Sequence, residues 1–304
     1  MAVSFLSNGP EDGAARRAPA AEAGRNRAAR ASVAAGGERD ILPGAGTGRN
    51  PFWPPVRGVF TRSCDDLLMP TPRRPLVLWD IDHTLIRLPG VSQRIYALAF
   101  EQAVGRPLAV VADMAGRTDR AIVADTLALN GAAASGVTFE HFVAALADAA
   151  HALRDEMRDS GQVLPGAAEA LKAFAADGAL QTVVTGNSPA IAVTKLEALE
   201  LTDILDLEVG GYGDDDADRA VLVCLAVARA GAKYQAGFTP EDAIVIGDTP
   251  HDVKGALDTG ALAVGVATGR SSEDELRAAG ARLVLPDLSD ISSPRKLVAE
   301  RSAA

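Results

Sequence analysis

Cysteine is nearly absent from this 304-residue sequence, which contains only Cys64 and Cys224. Two cysteines provide neither a disulfide framework nor a cysteine-rich metal site, so the reducing cytoplasm is the expected location. Aromatic residues make up only 4% of the chain, so alanine, valine and leucine have to fill the core. We expect Cys224 to be one of the small core residues.

Long apolar runs and excess positive charge are also missing. No apolar run approaches the roughly 18 residues that a transmembrane helix needs, and the short apolar start is too brief for a signal peptide. The formal net charge is −10, which argues against nucleic acid as the main partner. We therefore expect neither a membrane nor a nucleic-acid partner, while the hydrophobic content of 48% favours a folded protein.

The composition divides the chain into segments. Residues 1–70 are rich in alanine, glycine, arginine and proline and show no sustained periodicity, which predicts a disordered tail. A targeting segment or sequence upstream of the true start are the alternatives. We expect a core built from residues 71–88 and 164–290, an insertion at 89–163, and a C-terminal tail at 291–304.

From residue 76 onward, predicted strands alternate with amphipathic helices. Short, nearly continuous apolar runs predict strands at Leu76–Trp79, Leu180–Val184, Leu207–Val209, Ala243–Ile246, Ala261–Ala267 and Arg282–Leu285. Periodic segments predict helices at Ala167–Ala176, Pro189–Leu199, Ala220–Ala230 and Pro250–Asp258. This alternation is typical of an α/β fold with a doubly wound parallel sheet.

The insertion between the first two core strands has a different pattern. It contains three predicted helices, Val91–Val104, Thr118–Leu129 and Phe139–Met157, and no convincing strand. About 75 residues are too many for a simple crossover connection. We therefore expect an inserted all-helical cap domain.

Two carboxylates, Asp80 and Asp82, come directly after the first strand, and Thr84 is two residues later. Open α/β sheets place their active sites at the carboxyl ends of strands. One carboxylate there can attack phosphorus as a nucleophile, while the second moves a proton. A motif this short can occur by chance, so it indicates a function only together with motifs at the ends of other strands.

Further polar groups occur after later strands along the chain. They are Thr185, Gly186 and Asn187 after the second strand, Arg219 at the start of a helix, and Asp248 and Asp252 after a further strand. Ser188-Pro189 predicts a helix start, whose backbone N–H groups favour an anion. Asp248 and Asp252 are four residues apart and can face one cleft, where oxygen ligands suit Mg²⁺.

Together these motifs resemble the haloacid dehalogenase superfamily, and specifically its phosphatase branch with a helical type 1 cap, similar to phosphoglycolate phosphatases. The resemblance covers roughly residues 74–290. It implies that Asp80 is the nucleophile and Asp82 the general acid and base. It also implies that Asp80, the backbone carbonyl of Asp82 and Asp248 bind Mg²⁺, while Asp252 supports the metal shell.

Arg219 represents the third motif in chain order and departs from the family pattern. Relatives usually have a lysine at this position, which neutralises the phosphate. Lys233 is the rival, but it lies only 15 positions before Asp248, whereas Arg219 leaves room for a full helix. A salt bridge to the neighbouring aspartates is the structural alternative for Arg219. His83 stands where relatives often have glycine, and we interpret it as a turn residue that points outward.

In the cap, the turn that contains Arg117, Thr118 and Asp119 resembles the substrate-facing turn of related phosphatases. Arg117 is therefore a candidate for substrate specificity. Equally, Thr118 or Asp119 could simply cap the following helix. The sequence leaves both interpretations open.

The favoured activity is Mg²⁺-dependent hydrolysis of a small phosphorylated metabolite through an aspartyl-phosphate. A phosphomutase would use the same residues but protect the intermediate from water. A dehalogenase is disfavoured because a halide leaves without protonation, so Asp82 would have no role. A non-catalytic binding protein of the same fold is the last alternative. The sequence does not distinguish a monomer from a homodimer.

Overall fold

The computed structural model describes residues 74–302, in which strands and helices alternate. The strands are β1 Leu76–Trp79, β2 Ile86–Arg87, β3 Gln162–Val163, β4 Leu180–Val183, β5 Ala243–Gly247, β6 Leu262–Val266 and β7 Leu283–Leu285. The helices are α1 Val91–Val104, α2 Asp119–Leu129, α3 Phe139–Ala152, α4 Arg154–Ser160, α5 Ala167–Ala176, α6 Pro189–Ala198, α7 Arg219–Tyr234, α8 Pro250–Thr259, α9 Glu273–Ala278 and α10 Ser292–Ser302. None of these helices has the length and apolar character needed to cross a bilayer. The predicted tail at 1–70 and Cys64 lie outside the described residues.

The central sheet has five parallel strands in the order β4-β1-β5-β6-β7. In this register Trp79 lies opposite Val183 on one side and Ile246 on the other. Because β1 pairs with β4 on one side and β5 on the other, the chain reverses its direction across the sheet at β1. Ligands of open α/β sheets bind at such a point, next to the carboxyl ends of the strands.

The side chains of β1 supply both faces of the sheet. Leu76 and Leu78 belong to an apolar cluster with residues of α7 and α8. Val77 and Trp79 belong to the opposite cluster, which includes residues of α5, α6 and the insertion. The indole of Trp79 packs edge-on against Phe174, and its Nε1 donates a hydrogen bond to a buried glutamine on β4. Helices therefore cover both faces, as a doubly wound α/β fold requires.

The insertion, residues 89–163, contains α1 to α4. Its interior is built around three buried aromatic side chains, Tyr96, Phe100 and Phe142. The ring centroids of Tyr96 and Phe100 lie 6.3 and 6.4 Å, respectively, from that of Phe142. Helices α3 and α4 pack against α6 of the core. The chain leaves and re-enters the core through the antiparallel pair β2-β3, which the sequence analysis did not predict.

Several local predictions were wrong. Leu207–Val209 forms a 3₁₀ turn instead of a strand, because the Asp206 carboxylate accepts a hydrogen bond from the Glu208 N–H and stabilises a turn. The predicted helix Phe139–Met157 is divided at Leu153 into α3 and α4. Cys224 is exposed and not in the core.

The C-terminal segment also differs from the predicted tail, because residues 292–302 form α10. Val298 on this helix is buried. Arg295 donates two hydrogen bonds of 2.6 Å to Asp177 at the end of α5. The helix is mostly polar, so its sequence contains no strong apolar period that would predict it.

Candidate active site

The predicted motifs converge at one edge of the sheet. Asp80 comes after β1, Thr185 after β4 and Asp248 after β5, and these three strands are neighbours in the sheet. They line a cavity of about 670 Å³ between the core and the insertion. Its lining also includes Asp82, Gly186, Asn187, Arg219 and Arg117. Asp252 lies behind this lining, in the first turn of α8.

Asp80 is a buried carboxylate, only 6% exposed. Its Oδ1 accepts a hydrogen bond of 2.5 Å from Arg219 Nη2, and its Oδ2 accepts a weaker one from the Thr84 hydroxyl. Burial and the charge of Asp252 raise the pKa of Asp80 to about 7, although Arg219 opposes this shift. The side chain is therefore fixed in position, and its negative charge is only partly compensated.

The carboxylate of Asp248 has fewer stabilising partners than that of Asp80. Its side chain is buried, and no residue in the described part of the chain donates a hydrogen bond to its carboxylate. Burial, together with the charges of Asp80 and Asp252, raises the pKa of Asp248 to about 9. A buried carboxylate without a donor is costly unless a cation or a proton neutralises it.

Asp252, in contrast, has partners at both oxygens. Its Oδ2 accepts hydrogen bonds from the backbone and hydroxyl of Thr249, which close a capping box at the start of α8. Its Oδ1 lies 2.7 Å from Arg219 Nη2. Asp252 therefore orients Arg219 and the start of α8 from behind the cavity lining.

The carboxylates fit a divalent cation. One oxygen from each of Asp80, Asp248 and Asp252 lies within 4.8 Å of the others. Arg219 can balance only one of these three carboxylates, so ionisation of all three requires a further positive charge, and without one the cluster takes up protons. Mg²⁺ prefers oxygen ligands and requires few protein ligands. Asp80 and Asp248 are the side chains best placed to hold a divalent cation, because both line the cavity whereas Asp252 lies behind it.

The structure separates the two candidates for the third motif. Arg219, at the start of α7, contacts Asp80 and Asp252 and also donates to the backbone carbonyls of Gly116 and Val184. Lys233 lies at the other end of the same helix, paired with carboxylates outside the cavity. The structural alternative, a salt bridge of Arg219 to the neighbouring aspartates, is wrong, because Arg219 pairs with Asp80 and Asp252.

Asp82 has a partner that the sequence analysis missed. Lys195 on α6 is 1% exposed and lies 2.8 and 2.6 Å from the two oxygens of Asp82. Asn187 Nδ2 donates to the same carboxylate at 2.7 Å. Burial alone would raise the pKa of Asp82, but the charge and hydrogen bonds of Lys195 and Asn187 outweigh it and lower the pKa.

The loop after β4 faces the cavity and leads into α6. The Thr185 hydroxyl accepts hydrogen bonds from the backbone and side chain of Asn187, so this side chain organises the loop. Ser188 and Pro189 begin α6 as predicted, but the Ser188 side chain forms no cap. Instead, the Ser188 N–H donates to the Asp119 carboxylate of the insertion at 2.7 Å. The loop can still direct donors to an anion.

The insertion is docked closely on this loop. The backbone N–H of Asp119 donates to Gly186 O at 2.7 Å, and that of Arg120 donates to Gly213 O at 2.9 Å. A Cβ atom on Gly213 would lie 1.7 Å from Gly186 O, and one on Gly186 would lie 2.1 Å from Arg117 O. Glycine is therefore required at both positions for the backbones to approach this closely.

The turn of the insertion contains a helix cap and an arginine that lines the cavity. Thr118 caps α2 by accepting a hydrogen bond from the Ala121 N–H. Asp119 does not cap this helix but is buried, held by the Tyr96 hydroxyl and by the Ser188 N–H of α6. Arg117 lines the cavity, and its guanidinium pairs with Asp125 at 2.6 Å. Arg117 is thus oriented by the insertion itself.

His83 occupies a turn with a φ angle of 62°, a conformation for which glycine is favoured. Its side chain is exposed, and its carbonyl accepts a hydrogen bond from the Thr268 hydroxyl. Both observations agree with the interpretation of His83 as a turn residue. Although the residue is exposed overall, part of its imidazole is shielded from water by the surrounding protein, which lowers the pKa of the imidazole and favours its neutral form.

Comparison with known families decides the identity of this fold. The family model described as haloacid dehalogenase-like hydrolase matches residues 77–257, more than half of the chain. The chain belongs to the haloacid dehalogenase-like hydrolase family. The matched region begins in β1 and ends in α8, so it contains every candidate site residue from Asp80 to Asp252.

Individual relatives agree with this assignment. A protein named probable phosphatase IndB, from Dickeya dadantii, is 29% identical over 229 residues, which cover 72% of this chain and 92% of that protein. The fold is similar to that of a hydrolase from Pseudomonas syringae, with a TM-score of 0.50, 21% identity and coverage of 74% and 99%. A β-phosphoglucomutase from Clostridium difficile has a TM-score of 0.54, 13% identity and coverage of 76% and 97%. These solved structures support the fold alone.

Proposed function

We propose that this haloacid dehalogenase-like hydrolase is a Mg²⁺-dependent phosphomonoester hydrolase that acts on a small phosphorylated metabolite. One observation carries the proposal: Asp80 is held by Arg219 at the point where the strand order reverses, with Asp82 two residues further on. This arrangement supplies a nucleophile, a charge for the phosphoryl group and a group that moves protons. The name of the relative from Dickeya dadantii also supports a phosphatase.

In the first step, an Asp80 oxygen attacks the phosphorus of the substrate. The bond between phosphorus and the ester oxygen breaks, and that oxygen takes a proton from Asp82, which enters this step as the protonated acid and leaves it as a carboxylate. The product is an aspartyl-phosphate on Asp80. Arg219, the Thr185 hydroxyl and the loop at the start of α6 would hold the phosphoryl oxygens, because all three line the cavity or its edge.

In the second step, a water molecule attacks the phosphorus of the aspartyl-phosphate. The bond to Asp80 breaks and restores its carboxylate, while Asp82 accepts the proton of the water. Free phosphate then leaves. Two displacements replace one difficult displacement, which is the advantage of covalent catalysis.

Asp80, Asp248 and the backbone carbonyl of Asp82 would hold Mg²⁺, with Asp252 as support. When bound, the ion supplies positive charge that lets an anionic phosphate approach a cluster of carboxylates. The raised pKa of Asp248, which reflects burial beside two other carboxylates, supports this assignment. The protein side chains still carry out the nucleophilic and proton-transfer steps.

The substrate is proposed to be small, because residues of the insertion line the cavity and a cap that closes over a site favours small substrates. Phosphoglycolate-like acids and sugar phosphates are the first candidates by analogy with the family. Arg117 is the proposed specificity residue, since it lines the cavity. A phosphomutase with the same residues is the alternative activity. A cytoplasmic location is proposed from the low cysteine content.

The test is phosphate release from a panel of small phosphomonoesters, with Mg²⁺ and with EDTA. We expect metal-dependent turnover in the wild type and its loss in Asp80→Asn. The matched control is Asp274→Asn, because Asp274 is an exposed aspartate on α9. An isomerised sugar phosphate without free phosphate would identify a mutase instead. Turnover that persists in Asp80→Asn would refute the assigned nucleophile.

A further inference from the structure

Lys195 is a charged side chain inside the core of the protein, and the proposed steps do not use it. It lies on α6 between Ala192 and Leu196, on the face of that helix that packs into the apolar cluster. Its ammonium group has four acceptor atoms within 3.1 Å. They are both carboxylate oxygens of Asp82, the Asn187 side-chain oxygen and the Ser92 hydroxyl.

A buried ammonium group is costly unless it is paired and its protons are bound. Within residues 74–302, the groups that meet this condition for Lys195 all lie at the cavity. Asp82 comes after β1, Asn187 belongs to the loop before α6, and Ser92 lies in the first turn of α1. One side chain therefore joins the proton-transfer group, the proposed phosphate loop and the insertion.

The contact determines where the Asp82 carboxylate lies. About one third of the Asp82 side chain remains exposed toward the cavity, at 32%. Lys195 and Asn187 contact its oxygens from the protein side. Without Lys195 this carboxylate would keep only the Asn187 amide as a partner and would lose its charged neighbour.

We propose that Lys195 is a positioning residue that holds Asp82 in place for hydrolysis of the phosphorylated enzyme, an inference that rests on the proposed phosphatase function. In that step the oxygen of water forms a bond to phosphorus and the bond from phosphorus to Asp80 breaks. The electron pair of the broken bond returns to the Asp80 carboxylate. The proton of water passes to an oxygen of Asp82, which must point at the water.

The test uses 4-nitrophenyl phosphate, whose leaving group departs without a proton from Asp82. For this substrate, Lys195→Met should leave phosphorylation of Asp80 intact and slow only its hydrolysis. Rapid mixing should show a burst of nitrophenolate close to the enzyme concentration, followed by slow turnover. We expect kcat to fall about 10²-fold, within the range of acid–base catalysis. KM should fall with it, so that kcat/KM changes by less than about 3-fold.

Two comparisons separate positioning from a general structural role. Asp82→Asn should lower kcat similarly, and Lys195→Met should add less than about 3-fold in the Asp82→Asn background, because the two residues act as one unit. The control is Lys172→Met, an exposed lysine on α5 that should change nothing. Loss of the burst in Lys195→Met, or a further large fall in the double variant, would overturn the inference.

The double variant also covers the case in which Lys195→Met does not fold. Removing one partner of a buried ion pair leaves an uncompensated charge, whereas removing both charges is far better tolerated. Equal kcat in the double variant and in Asp82→Asn then supports the inference. If the wild type releases phosphate and Lys195→Met turns over normally, only this inference fails. If the wild type releases no phosphate from any phosphomonoester, the proposed function fails as well.

Discussion

Asp248→Asn should make the metal-free protein more stable while it removes activity. Asp248 is buried beside Asp80 and Asp252, and no described residue donates a hydrogen bond to its carboxylate. Folding without a metal therefore requires this group either to bind a proton or to keep a repelled charge. Asparagine has nearly the same volume and needs neither, so the substitution should relieve this cost.

The magnitude is set by the linkage between protonation and folding. The pKa of Asp248 is raised from 3.8 to about 9 in the folded protein. At pH 7 the unfolded chain has this group ionised, while the folded protein holds it protonated. The assay pH of 7 lies roughly three units above the unfolded pKa of 3.8. Each unit corresponds to about 1.4 kcal/mol, which sets an upper limit of about 4 kcal/mol on the gain. Because a proton on Asp80 relieves the same cluster, we expect a gain of about 2 kcal/mol.

The assay is urea unfolding in EDTA at several pH values. Because the pKa of Asp248 is raised in the folded state, its contribution to stability is fully present below pH 3.8 and is lost as the pH rises through about 9. The wild type should therefore lose stability between these values, and Asp248→Asn should lose less. Added Mg²⁺ should stabilise the wild type but not the variant. Lower stability of Asp248→Asn than of the wild type in EDTA at pH 7 would refute this reasoning.

Two further predictions concern the docking of the insertion and the identity of the third motif. Gly213→Ala should cost about 2 kcal/mol of unfolding free energy, because its Cβ would overlap with Gly186 O. Gly237→Ala, which has open space, is the control, and equal urea midpoints for the two variants would contradict the prediction. Arg219→Lys keeps the charge but loses the contact to Gly116 O, at a cost of about 1.5–3 kcal/mol. We expect at least about a 10-fold lower kcat/KM for phosphate release; wild-type kcat/KM would show that charge alone suffices.

The sequence predicts the core sheet well because its signals are local. The apolar run Leu76–Trp79 is a strand with the predicted bounds, and buried parallel strands are expected to be apolar throughout. The strand prediction for Leu207–Val209 failed because three residues are too few to show a reliable hydrophobic period. The Asp206 side chain determines their conformation instead. The break at Leu153 was not predictable for a related reason, since packing of α4 against α6 is a tertiary effect.

The candidate site also contains some residues that the sequence could predict and others that it could not. Asp80 and Asp248 could be assigned because each comes directly after a strand and forms part of a recognisable motif. Lys195 could not, because it is 113 residues from Asp82 and no local pattern joins them. A lysine on the otherwise apolar face of α6 was the available signal. A local helix cap by Thr118 or Asp119 was one of two interpretations of that turn, and the Asp119 carboxylate instead reaches Ser188, which is 69 residues further along the chain.

The most direct test of the account is to trap the phosphorylated enzyme. Acid quenching during turnover of a radiolabelled phosphomonoester, followed by peptide mapping, locates the transferred phosphoryl group. We predict an acid-stable label on the peptide that contains Asp80, and no label in Asp80→Asn. Phosphate release by the wild type without any label on that peptide, or a label that remains in Asp80→Asn, would contradict the central claim.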